Sequence, residues 1–186
     1  YIKMFKDAGI DAVILKHSID QPFITHLEQK NENVKFLSID SDLSETFKEE
    51  TSEEDLSKAG EKLAEVFKKA LNNDKLTVKA EKLVDKNISS MITVNEESKR
   101  MTDMMKMYAA GGMGGMDPNM FAADQTLTLN ANNALVKYLF ENKDGEHASM
   151  FAEQLYDLAM ISHQPLPAEK MTEFIQRSNK IMMLLT

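Results

Sequence analysis

Apolar positions recur along this chain in two rhythms, and the changes between them mark out its elements. Ile2, Met4 and Phe5 sit among charges between Tyr1 and Ala8, a short amphipathic helix that Gly9 should stop. The run DAVIL, Asp11 to Leu15, predicts an apolar strand, and VKFLSI, Val34 to Ile39, predicts a second. Between them HSIDQPFITHLEQK offers Ser18 or Asp20 as a cap, Pro22 in a first turn, and Phe23, Ile24 and Leu27 as an inward stripe. Helix, strand, helix, strand at these lengths predicts a small α/β layer with parallel strands.

From Asp40 to Glu54 the pattern lapses into an acidic, polar stretch, which places a domain boundary near Glu49 and divides the chain into residues 1–48 and 49–186. Ser52 precedes Asp55 by three, a helix start resembling a capping box. Leu56, Ala59, Leu63, Val66, Phe67, Ala70 and Leu71 then share one helical face, predicting a helix to about Asn72. KLTVKA alternates Leu76, Val78 and Ala80 inward, ISSMITV (Ile88 to Val94) is a second strand, and QTLTLN a third. The economical arrangement pairs the first two of these as antiparallel neighbours. Asparagines 130, 132 and 133 offer caps for a helix through Leu135, Val136, Leu139 and Phe140, which NKDGEH breaks. Two longer amphipathic helices, from about His147 to Ser162 and from Ala168 to Leu185, close the chain around the turn HQPLP. The whole predicts an α+β fold, a small α/β unit followed by a three-stranded sheet with helices.

Composition narrows what such a fold can do. With Lys plus Arg at 22 against Asp plus Glu at 30, the net charge of −8 repels phosphate backbones and anionic lipid, so neither nucleic acid nor a membrane surface is an expected partner. No cysteine is present, which removes thiolate metal sites and thiol nucleophiles and fits a reducing compartment, with the cytoplasm as the expected one. No window approaches the roughly 18 apolar residues of a membrane span, and the first residues are not a signal sequence. Beginning at Tyr1 inside an amphipathic pattern, the chain reads as part of something larger.

Candidate chemistry is sparse. His17, His26, His147 and His163 show no i, i+4 pairing of the kind a metal site needs. His17 near Ser18 and Asp20 resembles a nucleophilic constellation only superficially, so surface and cap roles are the expectation and no catalytic residue is assigned. GGMGG lacks the preceding strand and following helix of a phosphate-binding loop and reads as a connector. The unusual feature is the stretch from Ser98 to Met120, which holds half of the chain's 14 methionines. Met101, Met104, Met105 and Tyr108 fall at i, i+3, i+4 and i+7, the pattern of any helix burying one stripe in a core. Against a core role stand Met107, off that stripe, and the lack of branched aliphatic residues that specify rigid packing.

Taken in order, DAVILKHSIDQPFITHLE, KLVDKNISSMITVNEESKRM and QTLTLNANNALVKYL resemble the bacterial ninety-kilodalton heat-shock chaperone family, the HtpG type, over nearly the whole chain. The resemblance implies that residues 1–48 close that family's middle domain and that 49–186 form its C-terminal dimerization domain. ATP and magnesium would act upstream, so the fragment itself would carry no cofactor and hydrolyse nothing. The resemblance also implies that the methionine helix contacts unfolded or partly folded client proteins, with Met104, Met107 and Tyr108 at the family's apolar contact positions and Met101 and Met105 as additions. For the last two helices it implies a homodimeric four-helix bundle. Its contacts would be Phe151, Leu155 and Leu158 on the first helix, and Met171, Phe174, Ile175, Met182 and Leu185 on the second. Two other readings remain open: a dimeric structural adaptor with no client role, in which the methionines are buried, and a small α/β hydrolytic enzyme confined to the first unit.

Overall fold

The computed structural model describes residues 2–17, 19–39, 41, 48, 53–110 and 125–184, with the side chains of 53–55, 96, 103 and 106–110 excepted. Among these residues lie seven helices and a three-stranded mixed sheet. The helices are α1 (Ile2–Asp7), α2 (Asp20–Lys30), α3 (Glu53–Leu71), α4 (Glu96–Ala110), α5 (Ala134–Glu141), α6 (Ala148–His163) and α7 (Ala168–Met183). The strands are β1 (Thr77–Glu81), β2 (Ser90–Val94) and β3 (Gln125–Asn130). No helix among the described residues is long and apolar enough to cross a membrane.

Strand existence follows the alternation, but strand order does not. The sheet runs β1-β3-β2, with β3 parallel to β1 and antiparallel to β2. The expected β1/β2 hairpin is therefore replaced by a central strand that arrives later in the sequence. The central place of β3 shows in its pairing, since it is hydrogen-bonded on both sides, while burial does not follow strand order: every residue of the edge strand β2 is buried, as are Leu127, Thr128, Leu129 and Asn130 of β3. Of the two outer strands, β2 is covered on both faces, whereas β1 holds only exposed and half-buried positions.

One face of the sheet carries the main core. Ile92, Val94, Leu127 and Leu129 meet Leu63 and Phe67 of α3, Val136 and Leu139 of α5, and Ala148, Ala152, Leu155 and Ala159 of α6. The apolar stripe predicted for α3 is thus the one it buries. Gly60 lets that helix lie close to β1, since a Cβ there would stand 3.2 Å from the backbone nitrogen of Ala80. Asn72 takes the left-handed conformation, φ 49°, that terminates α3.

Because side chains alternate across a strand, Met91 points the opposite way from Ile92. There it joins Met4 and Leu83, with Phe5, Ile10 and Ile88 packed around them. This second core brings α1 onto the back of the sheet, and Gly9, φ 67°, ends α1 as expected. The loop from Leu83 to Ser89 that completes this core is held by the three asparagines. Asn130 is fully buried, accepts from the backbone N–H groups of Leu83 and Asn132 (both 3.0 Å), and donates to the carbonyls of Asp85 (2.9 Å) and Ile88 (2.7 Å). Asn132 donates to the Leu83 carbonyl and Asn133 to that of Lys86. Only Asn133 is also a cap, accepting from the Leu135 N–H at the start of α5.

The first unit departs from the expected α/β layer. DAVIL and VKFLSI enter no strand, and Val13, Ile14, Leu15, Val34 and Leu37 are exposed. A strand needs a partner for its backbone groups, and no described segment supplies one. The inward stripe expected of α2 is likewise incomplete: Ile24 and Leu27 are half-buried and Phe23 is exposed. Asp20 does not cap α2 in the usual way; its Oδ2 accepts the backbone N–H groups of Lys16 and His17 (both 2.9 Å), folding the turn before the helix. Ser18, the boundary at Glu49 and the cap at Ser52 lie outside the described residues.

Candidate functional site

Two features were singled out by their apolar patterns, the methionine helix α4 and the pair α6 and α7. Helix α4 starts where Asn95 Oδ1 accepts the backbone N–H groups of Glu97 (3.0 Å) and Ser98 (3.2 Å), the geometry of an N-cap. Its inward face runs through half-buried Ser98, buried Thr102 and half-buried Met105, and the Thr102 hydroxyl donates to the Ser98 carbonyl at 2.8 Å. The outward face carries Met101 and Met104, 57% and 49% exposed. The pattern that suited a buried stripe is therefore split: Met105 faces the protein, while Met101 and Met104 face water. The side chains of Met107 and Tyr108 lie outside the described residues, as does the GGMGG connector.

The root of α4 is fixed by charge. Arg100 donates through Nη1 to Glu28 Oε2 (2.8 Å) and through Nη2 to Glu28 Oε1 (3.1 Å) and the Phe36 carbonyl (2.9 Å). Glu28 Oε1 also accepts the Phe36 N–H at 2.7 Å. Hydrogen bonds from Arg100 and from that N–H favour the carboxylate over the opposing effect of burial and hold the Glu28 pKa down at about 2. Beside them Lys99 Nζ donates to Ser38 Oγ at 2.5 Å.

Helix α6 presents small residues to the sheet, which lets it lie close: Ala148, Ala152 and Ala159 are buried with Leu155 and Met160. Leu155 is only 2% exposed, so this predicted dimer contact already packs in its own core, and its carbonyl accepts from Ser90 Oγ at 2.7 Å. Phe151 is half-buried, its ring 5.3 Å from that of Tyr138. Leu158 lies with Ile161 on the exposed edge. On α7, Met171 and Phe174 are half-buried, whereas Ile175 and Met182, seven residues apart on one stripe, are 52% and 56% exposed. Met183 and Leu184 extend that outward face, and Leu185 lies outside the described residues.

What holds α7 to α6 is polar. Arg177 is buried and donates to Glu153 Oε2 (2.7 Å), to Gln154 Oε1 (3.1 Å) and, very closely, to Asp157 Oδ2. Gln154 in turn donates to Ser178 Oγ at 2.9 Å. Burial pushes the Asp157 carboxyl above its usual range, and the Arg177 charge and hydrogen bond work against that rise. Sequence pattern singled out neither this cluster nor Arg100. A signal was available: Arg100 and Arg177 are the only arginines among 22 basic residues, and Glu153 and Asp157 are acids at i, i+4 on a helix adjoining the second.

The described side chains of both features are engaged in packing, hydrogen bonds and ion pairs or face solvent. Among the described residues no group of three or more His, Asp or Glu could hold a metal ion. The Asp20 carboxylate near His17 is engaged by backbone N–H groups rather than by an imidazole. The arrangement is one of surfaces: an outward apolar helix face rooted by one arginine, and a second apolar face oriented by the other.

Comparison with known proteins places the chain in a family. Residues 1–185 match the family model described as Hsp90 protein. The chain is 29% identical over 150 residues to the chaperone protein HtpG of Bacteroides thetaiotaomicron, covering 77% of this chain and 21% of that protein. To the chaperone protein HtpG of Bacteroides fragilis it is 28% identical over 158 residues, 82% of this chain and 23% of that one. The chain thus spans less than a quarter of the length of these relatives. With a family match that runs across both apolar surfaces, the chain belongs to the Hsp90 family.

Proposed function

We propose that this chain is the C-terminal part of an HtpG-type chaperone that joins two protomers and offers an apolar helix to unfolded or partly folded client proteins in the cytoplasm. Residues 1–48 close the middle domain and 49–186 form the dimerization domain. The observation that carries the reading is the outward apolar face of α7, where Ile175 and Met182 are 52% and 56% exposed among the described residues. A second copy presenting the same face, with Leu158, Phe151, Met171 and Phe174 at its margin, would close a four-helix bundle of isologous symmetry. Leu155 then supports the contact from beneath.

Dimerization acts through effective concentration: joining two protomers at one end makes weak contacts at the other ends intramolecular and so populated. ATP and magnesium belong to parts of the parent that this chain does not span. On α4, Met101 and Met104 supply contact area that repacks at small cost against varied partners, because methionine has three rotatable bonds and a polarizable sulfur. Met107 and Tyr108 are further contacts of that surface in the proposed assembly, and Met105, which faces the protein, packs behind it.

Sedimentation of the chain at micromolar concentration tests the first half. A dimer is expected, and Ile175→Asp should dissociate it while leaving the helical circular dichroism unchanged; a monomeric wild-type chain would overturn the reading. For the second half, Met101→Ser with Met104→Ser should weaken binding to a permanently unfolded model protein without altering sedimentation. Equal binding by this variant would favour the plain dimeric adaptor.

A further inference from the structure

Helix α2 buries no residue fully, and the segment that follows it, Val34 to Leu37, is mostly exposed. Apolar packing therefore does little to set where this part of the first unit sits against the rest. Among the described residues, polar ties from this part meet at the root of α4. There Glu28 receives Arg100 in a two-pronged ion pair and the Phe36 N–H at once, while Arg100 reaches on to the Phe36 carbonyl. The three groups close a ring joining α2, the 34–38 segment and α4 across 72 positions of sequence. Lys99 to Ser38 and the parallel bridge from Ser41 to Val94, just before α4, add ties in the same direction. Met101 follows Arg100 directly, and Met104 stands one turn beyond it.

We propose that Glu28 and Arg100 form a coupling joint: they fix the direction of α4 against the first unit, so that displacing that unit re-aims the methionine face. Arg100 is a positioning residue here. Surface ion pairs are commonly weak, but a bidentate guanidinium and carboxylate also bonded to backbone has little freedom to find another geometry. A lysine keeps the charge and loses the fork. The joint rests on the proposed client role only for its purpose, since the coupling itself is a property of the fold.

Hydrogen exchange on the full 186-residue chain tests it. In Arg100→Lys and in Glu28→Gln, amides of α4 between Lys99 and Met105 and the Phe36 amide should exchange about tenfold faster, the loss of one charge-assisted hydrogen bond. Amides of β2, β3 and α6 should keep wild-type rates. The reversed pair, Glu28→Arg with Arg100→Glu, should recover part of the protection, a rescue that general destabilisation would not give. Unchanged α4 exchange in both single variants would overturn the joint, and so would equal acceleration throughout the core. Client binding is read separately on Met101→Ser with Met104→Ser. If that variant binds normally while Glu28→Gln loosens α4, the joint stands and the client role falls.

Discussion

Removing Arg177 is the sharpest test of how α7 is held. Arg177→Met keeps the apolar length of the side chain but leaves Glu153 and Asp157 facing one another on α6 with only the exposed Lys170 ammonium still acting on Asp157. Breaking a buried ion pair from one side costs about 3–5 kcal/mol. Two features pull this case toward the lower end: the Glu153 side chain is 35% exposed and can rehydrate, and Asp157, already raised by burial, can take up a proton. We expect a loss of about 2–4 kcal/mol at pH 7, or a fall of about 4–16 °C in thermal midpoint for a chain of this size. Urea denaturation followed by circular dichroism at fixed protomer concentration measures it, since the proposed dimerization would make stability concentration-dependent. The pH dependence gives the signature. A carboxyl whose folded pKa lies above its unfolded value destabilises the native state at neutral pH, and that cost is relieved as pH falls through the folded pKa. Without Arg177 the Asp157 pKa rises further, so the gap between variant and wild type should narrow as pH falls from neutral. Adding Asp157→Asn to Arg177→Met should restore part of the loss at pH 7. A variant within 0.5 kcal/mol of wild type, taken as the ordinary range of surface substitutions, or a gap that widens as pH falls, would refute the reasoning.

Two further outcomes follow from the other buried polar groups. Asn130→Ala strips partners from two backbone N–H groups and two carbonyls around the Leu83 to Ser89 loop, and should cost about 3–4 kcal/mol in chemical denaturation. Hydrogen exchange should then localise the opening to that loop and to α1, which share the second core. Glu28 has the opposite pH sign to Asp157: its folded pKa is depressed to about 2, so its contribution is present at neutral pH and is lost as pH falls below the unfolded value of 4.5. With Arg100 partly exposed, solvent screening limits that contribution to about 1–2 kcal/mol. Acid titration of Glu28→Gln should show a correspondingly flatter loss of stability between pH 5 and 2.

The elements of 53–184 were legible because each carries its own periodicity: α3 buries the stripe from Leu63 to Leu71, and β1, β2 and β3 fall where alternation placed them. Their neighbours were not legible. Alternation states which residues face inward, but it says nothing of which strand lies alongside, and a central β3 requires a pairing between residues about 50 positions apart. The first unit was misread for a related reason. DAVIL has the composition of a strand, yet strand formation is a property of pairs, and no described segment pairs with it. At the surfaces, helical spacing located α4 and α7 but not their outward sides. Met101 and Met105 are equivalent in pattern; Thr102 and Arg100, polar residues that turn inward, decide which methionine is covered.

Those polar residues share a logic. Lysine supplies 20 of the 22 basic side chains, and the two arginines stand where a cation must satisfy several acceptors at once in a fixed plane. Arg100 meets one carboxylate with both prongs and a carbonyl besides; Arg177 meets two carboxylates and an amide oxygen. A lysine ammonium could neutralise either site, but as a point charge it would leave the angle between helices free. Each arginine also lies on an α-helix whose exposed apolar face is small and methionine-rich, and such a face carries little steric information about its own direction. Orientation therefore has to come from the opposite side of the helix. In the proposed assembly the adaptable surface and the rigid clasp are complementary requirements: a face that is to accept varied partners cannot aim itself, and the guanidinium behind it would do so. Arg177→Lys should accordingly retain more stability than Arg177→Met at pH 7 yet weaken dimerization, because charge is kept while the setting of Ile175 and Met182 is lost. Equal dimerization by Arg177→Lys and wild type in sedimentation would show that α7 is aimed by packing alone.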